Sequence, residues 1–309
     1  MNIQDYDVLN ALMTEPFINQ RILAETCGHS LGVVNRALHS LQDAGYLDDG
    51  LHPTADAAAR LKQTAPQRAV ILAAGFGMRM VPINMETAKG LLEVHGEPLI
   101  ERTIRQLHEA GIREIYVVVG FMKERFEYLI DEYGVQLIVN PEYAAKNNLH
   151  SLKYAVDYLT NSYIIPCDIW CDRNPYRAFE LYSWYMVSDL VDNDSTVRVN
   201  RRMELTLVSD HSGGNEMIGI AYLTADTAAV VRARILQLVG DARYDDSFWE
   251  DALYGKDRMI VNARVVHASN VVEINTYEQL RELDSGSNQL QSAAIETAAR
   301  ALNAVPTEI

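Results

Sequence analysis

The sequence predicts an α/β protein with a mixed, mainly parallel sheet, preceded by a small helical module. Three observations carry this. Ala69-Val70-Ile71-Leu72-Ala73 is a short, branched apolar run of buried-strand length, and it ends in the turn Gly75-Phe76-Gly77. Strand-like and helix-like segments then alternate as far as about residue 160, the pace at which right-handed crossovers join parallel strands. Before Pro66, apolar residues recur at helical rather than strand spacing.

Residues 1 to 65 form the first expected domain and residues 66 to 309 the second. Helical spacing runs from Val8 to Met13, from Ile22 to Ala24 and from Val33 to Leu41, with Asn19 and Ser30 placed as N-caps. A turn at Asp48-Asp49-Gly50 and a helix from Thr54 follow, and Pro66 stops that helix. This order resembles a winged helix-turn-helix domain. The module holds four basic side chains against eight acidic ones, whereas DNA affinity rests on several cations meeting phosphates on one face. Protein contact or homodimerisation is therefore favoured over DNA binding. A dimer that gathered Arg21, Arg36 and Arg60 on one surface would still leave DNA open.

The totals narrow the function. Among 309 residues, 48% are hydrophobic and 22% charged, an ordinary globular balance. No apolar run approaches the ~20 residues that span a bilayer, and the start Met1-Asn2-Ile3-Gln4-Asp5 is not a signal peptide, so a cytoplasmic location is expected. Cys27, Cys167 and Cys171 suit neither a disulfide framework nor zinc. The net charge of −15 argues against bulk nucleic-acid or anionic-membrane binding.

A strand ending in glycines bares backbone N–H groups at the carboxyl edge of a sheet, where phosphate oxygens fit. Arg79 and Lys89 follow as cations able to neutralise a polyphosphate. A dinucleotide fingerprint would need glycine at position 80, where Met80 stands, and a Walker A loop would need Gly-Lys rather than Lys89-Gly90. The run Leu72-Ala73-Ala74-Gly75-Phe76-Gly77, with Arg79, Pro82 and Lys89 after it, resembles the signature of the nucleotidyltransferases that make nucleotide sugars and CDP-alcohols. The resemblance implies a Rossmann-like three-layer fold.

Further along, a strand at Glu114–Val119 ends at Gly120, a helix is expected over Phe121–Tyr133, and a strand at Val135–Val139 ends at Asn140. Asn147-Asn148 ahead of Ser151-Leu152 resembles the phosphocholine cytidylyltransferase branch of that family. Amide side chains both donate and accept, so they suit a pyrimidine edge; the alternative is that Asn147 caps the next helix and Asn148 closes the turn. His150 is expected to be a helix residue without a catalytic part.

In the second half, Asp168 ends a buried strand at Ser162–Cys167, a natural place for a Mg²⁺ ligand because that ion is hard and takes few protein oxygens. The branch usually reads Glu-Ile-Asp near the second metal ligand, and this chain reads Glu273-Ile274-Asn275, one negative charge fewer. Asn275 as a helix N-cap is the alternative. Phe248-Trp249-Glu250 matches an aromatic-Trp-acidic triplet of the branch, followed by Asp251. A Trp face beside carboxylates would hold a quaternary ammonium through cation–π attraction. Trp170 is a second candidate wall, while Tyr182, Trp184 and Tyr185 read as packing. A closing helix is expected over residues 293 to 304.

The resemblance covers roughly Gln67 to Leu283. It implies transfer of CMP from CTP to phosphocholine, with Mg²⁺ as cofactor. Lys89 and Arg79 would be catalytic. Leu72 to Gly77, Gly120, Asn140, Asn147, Asn148 and Ser151 would hold the nucleotide. Asp168 and Asn275 would hold the metal; Trp170, Trp249, Glu250 and Asp251 would hold the acceptor. Phosphoethanolamine and 2-aminoethylphosphonate stand as alternative acceptors. A nucleotide-sensing DNA-binding regulator is the alternative from another class.

Overall fold

The computed structural model describes residues 1–76, 87–193, 195–208, 212–276 and 278–284. Gly77, Arg79, Pro82 and the helix expected over 293–304 lie outside the described residues.

The first unit holds α1 (Ile3–Thr14), α2 (Gln20–Cys27), α3 (Leu31–Asp43) and α4 (Ala55–Gln63). Its caps follow from the sequence. Asn2 and Asp5 form a reciprocal capping box, Asn19 accepts from Arg21 and Ile22 N–H, and Ser30 accepts from Val33 N–H. Gly28, left-handed at φ 68°, ends α2. A single bridge between Leu47 and Pro53 makes a minimal wing with Asp48 and Asp49 at its tip.

Beyond it the strands are β1 (Arg68–Ala73), β2 (Glu93–Val94), β3 (Glu97–Pro98), β4 (Glu114–Val119), β5 (Gln136–Val139), β6 (Ser162–Pro166) and β7 (Ile169–Cys171). They continue as β8 (Trp184–Asp192), β9 (Val197–Val199), β10 (Glu204–Leu207), β11 (Gly214–Leu223), β12 (Arg258–Val266) and β13 (Val271–Glu273). The helices are α5 (Leu99–Glu109), α6 (Tyr128–Tyr133), α7 (Asn148–Lys153) and α8 (Ala225–Leu238). Nine strands form one mixed sheet in the order β5-β4-β1-β6-β11-β8-β12-β10-β9. It is parallel from β5 to β6, and beyond β6 the pairings are antiparallel except for β8 with β12, which is parallel. One apolar cluster fills each face of the sheet, because β1 and β4 are buried on both sides and alternate their residues between the two.

The helix expected over Phe121–Tyr133 begins later. Met122 takes a left-handed φ of 52°, a short 3-10 turn covers Lys123–Phe126, and α6 starts at Tyr128. β13 leaves the main sheet to pair with β7, which carries residues 271–275 back beside Asp168; Ile274 N–H donates to the Asp168 carbonyl at 3.0 Å.

The winged-helix unit is docked, not merely tethered. Its core takes in Phe179, Leu181 and Tyr182 from the larger unit. Asn161 donates to the Gln63 carbonyl, and Gln67 N–H donates to the Asn161 carbonyl. These contacts lie at the start of β1 and β6, so the small domain sits at the sheet edge opposite the glycine turn.

Candidate active site

The carboxyl ends of β1, β4, β5 and β6 share one edge, and the candidate residues cluster there. At the end of β1, Gly75 is exposed and a Cβ placed on it would meet nothing within 4 Å. Packing therefore does not require glycine; open access to its backbone is what the residue supplies. Leu72, Ala73 and Ala74 are buried and shape the turn through their backbone: the Leu72 carbonyl accepts from Cys167 N–H and the Ala74 carbonyl from Phe121 N–H. Phe76 packs edge-on against Phe121 at 4.4 Å. Gly120 is required sterically, since a Cβ there would lie 2.6 Å from the Tyr143 side chain and 2.8 Å from the Ala74 carbonyl oxygen.

The main convergence is at the end of β6. Lys89 Nζ donates to Asp168 Oδ2 and, at 2.9 Å, to Asn275 Oδ1. These residues come from a 3-10 turn at Lys89–Leu91, the tip of β6 and the segment after β13. Gly90 lets the turn lie close to β6, for a Cβ there would sit 3.1 Å from Cys167 Cβ. Thr276 Oγ1 accepts from Gln279 N–H in the manner of a cap, Gln279 Oε1 accepts from Asn275 N–H and Thr276 N–H, and Asn275 Oδ1 accepts from Lys89. Two hard oxygens thus converge on one cation, a donor set that also fits a Mg²⁺ ion completed by phosphate and water oxygens. Among the described residues no group of three or more His, Cys, Asp or Glu is placed to hold a metal. Burial pushes the neighbouring Cys167 thiol up to about 12, so it is no nucleophile at neutral pH.

Several expected ligand contacts turn out to be internal supports. Asn140 is wholly buried; its Nδ2 donates to Ser151 Oγ at 3.0 Å and its Oδ1 accepts from Glu142 N–H at 2.8 Å. Asn140 and Ser151 therefore tie the end of β5 to α7. Asn147 is the N-cap of α7 and also donates to the Asp246 carbonyl. Asn148 Oδ1 accepts from Trp249 N–H at 2.8 Å. The amide pair fastens α7 to the loop before Trp249, and only Asn148 Nδ2 has no recorded partner among the described residues.

Both tryptophans are packed rather than open. Trp249 is wholly buried in the core beside Tyr185. Trp170 packs with Leu92, Val94, Leu99 and Ile274, and the Arg102 guanidinium lies 5.1 Å over its ring. Glu250 is the member of that triplet with free chemistry. Tyr185 OH donates to its Oε1 at 2.9 Å, while its buried Oε2 has no recorded partner among the described residues. Burial pushes the Glu250 carboxyl up to about 7. Gly219, left-handed at φ 88°, brings β11 against Pro166 at the tip of β6 and lies beside Glu250. Asp251 is half-buried next to it.

One network was not anticipated. Glu142 accepts from Lys153 and from Tyr154 OH and lies 3.3 Å from Lys146, which in turn lies 3.2 Å from Asp245. Lys153 chiefly holds the Glu142 carboxyl down to about 2. His150 is buried beside Asp245, and burial lowers its pKa and keeps it neutral. The sequence signal was the density of charge in residues 142 to 154, but the partner Asp245 is too remote to pair by inspection.

A model of the MobA-like NTP transferase domain matches residues 69–178, and one of a winged helix-turn-helix DNA-binding domain matches residues 1–48. A choline-phosphate cytidylyltransferase of Streptococcus pneumoniae is 30% identical over 231 residues, 70% of this chain and 96% of the relative. A 2-aminoethylphosphonate cytidylyltransferase of Lancefieldella rimae is 30% identical over 237 residues, 71% of this chain and 92% of the relative. The solved structure of CTP:phosphocholine cytidylyltransferase from S. pneumoniae superposes with a TM-score of 0.66 at 30% identity, covering 71% of this chain and 98% of that one. With the glycine edge, Lys89 and Asp168 gathered in one place and a likeness that spans nearly the whole of such relatives, the chain belongs to the cytidylyltransferases of the nucleotidyltransferase family, with a winged helix-turn-helix domain in front.

Proposed function

We propose that the protein transfers CMP from CTP to a small amino-alcohol phosphate, with phosphocholine as the first reading, and releases pyrophosphate. The observation that carries this is the meeting of Lys89, Asp168 and Asn275 at the tip of β6, on the sheet edge where β1 bares Gly75. An acceptor phosphate oxygen attacks the α-phosphorus of CTP in line. The new P–O bond forms as the bond to the β-phosphate oxygen breaks, and pyrophosphate leaves with the electron pair.

The chain's part is positioning and neutralisation. The N–H groups at Gly75 and Phe76, with Arg79, hold the leaving phosphates. Lys89 moves from its carboxamide and carboxylate partners onto the α-phosphate and acceptor oxygens. Asp168 and Asn275 would hold Mg²⁺, which when bound screens the charge growing on the phosphates. Asp251, half-buried beside the enclosed Glu250, meets the acceptor ammonium.

A second acceptor, 2-aminoethylphosphonate, is favoured by one observation. Both tryptophans suited to a quaternary ammonium are packed away, and a half-buried carboxylate such as Asp251 suits a primary ammonium that can donate hydrogen bonds. Incubation with CTP, Mg²⁺ and each acceptor, read as pyrophosphate release, separates the two. No release with either acceptor would end the proposal.

A further inference from the structure

A wide cleft lies between the two domains, at the sheet edge away from Lys89. It encloses about 1230 Å³ and takes its walls from α1, the turn at Cys27–His29, the 174–179 loop, the β9–β10 turn and β12. Small-molecule sites favour such junctions and usually occupy ~300–1,000 Å³, so a nucleotide-sized occupant and some water fit.

The charges that reach this cleft are not evenly satisfied. Arg264 is closed off by its two hydrogen bonds to Glu180. Glu109 is held by Arg105 and Asn174. Asp7 sits 3.0 Å from His29 and 3.9 Å from Arg177. Arg201 and Arg202, exposed on the β9–β10 turn, have no recorded ion pair among the described residues. Glu15 at the far rim is the acid left over. Two adjacent exposed guanidiniums on a cleft, Arg202 feeling only the Coulombic pull of the Arg258-bound Glu204 among the described residues, make a local anion trap in a chain of net charge −15. The β9–β10 turn keeps them together: Asn200 Oδ1 accepts from Arg202 N–H and Glu204 N–H, and Asn200 Nδ2 donates to Glu204.

We propose that this cleft is a second ligand site, for a small phosphorylated molecule held by Arg201 and Arg202 on the transferase side and by α1 and the Cys27–His29 turn on the winged-helix side. Because both domains line it, its occupant tightens or loosens the docking of the small domain, and the chain carries a sensor at the sheet edge opposite its catalytic one. This site is separate from the transfer reaction and does not depend on which acceptor is used.

Hydrogen–deuterium exchange on the full chain tests it. The probes are CTP, phosphocholine, CDP-choline, pyrophosphate and inorganic phosphate, each titrated against wild type and R201A/R202A. At least one probe is expected to slow exchange at residues 26–29 and 200–203. In the double variant that protection should need about tenfold more probe, the loss of one or two charge-assisted hydrogen bonds. CTP protection at residues 72–76 should be the same in both proteins. If no probe protects the cleft, or if R201A/R202A leaves that protection unchanged, the second site is refuted. Loss of protection at 72–76 alone would instead count against the catalytic reading.

Discussion

At the scale of single residues, two side chains define how the site should respond. Lys89 is shared between Asp168 and Asn275, so removing it leaves the fold but deletes a charge that meets the transition state. Lys89→Ala is expected to lower kcat by roughly 10²–10³-fold and to weaken CTP binding much less. Steady-state kinetics with a CTP titration would show it, and the reverse pattern would take Lys89 out of the transition state. Glu250 has a folded pKa of about 7 against an ordinary 4.5. The folded protein therefore holds this proton more tightly than the unfolded chain. The resulting stability is full below about pH 4.5 and is lost as pH rises to about 7. Glu250→Gln should flatten that slope, by up to about 3 kcal/mol, in urea unfolding between pH 4.5 and 7.5. An unchanged slope would mean that the carboxyl is not desolvated.

At the scale of elements, the junction of α7 with the loop before Trp249 decides the shape of the acceptor side. Asn147 and Asn148 make three hydrogen bonds across or within it, and Asn147 N–H adds a fourth to the Asp245 carbonyl. Asn148→Ala strands the Trp249 N–H, at a cost of ~1–3 kcal/mol. We expect that loss in denaturant melts, with a higher acceptor KM because Glu250 and Asp251 follow Trp249 directly. A variant as stable as wild type would show the bond to be replaceable by water. The amide motif was legible in the sequence; its duty was not, since an Asn beside a helix start reads equally well as cap or as ligand.

At the scale of the whole molecule, a residue of the small domain reaches a buried ion pair of the large one. Glu180 is fully buried and meets Arg264, Tyr163 OH and Tyr6 OH, while the Arg264 guanidinium stacks 3.9 Å over Trp184. Tyr6 comes from α1, so the small domain completes a polar cluster in the large one. Glu180→Gln leaves Arg264 charged and buried, and breaking such pairs costs ~3–5 kcal/mol. Chemical denaturation should show that loss, accompanied by faster amide exchange in α1. Unaltered exchange there would mean that the pair stabilises the transferase domain alone.

Local order came from the chain itself. The apolar run at Ala69–Ala73, the caps at Asn19 and Ser30, the glycine turn and the acidic end of the Ser162 strand each depend on neighbours a few residues away, and so fold class could be read directly, while the reaction type followed from the family resemblance that the motifs carry. Burial and partnership are different, because they depend on groups far apart in sequence. Lys89 meets Asn275 across 186 positions, Trp249 is sealed by strands from elsewhere, and Asn140 uses both ends of its amide on α7 and the turn after β5. Which aromatic is wall and which is core, and which amide faces a ligand, is settled only when the sheet is assembled and the space around each side chain is filled.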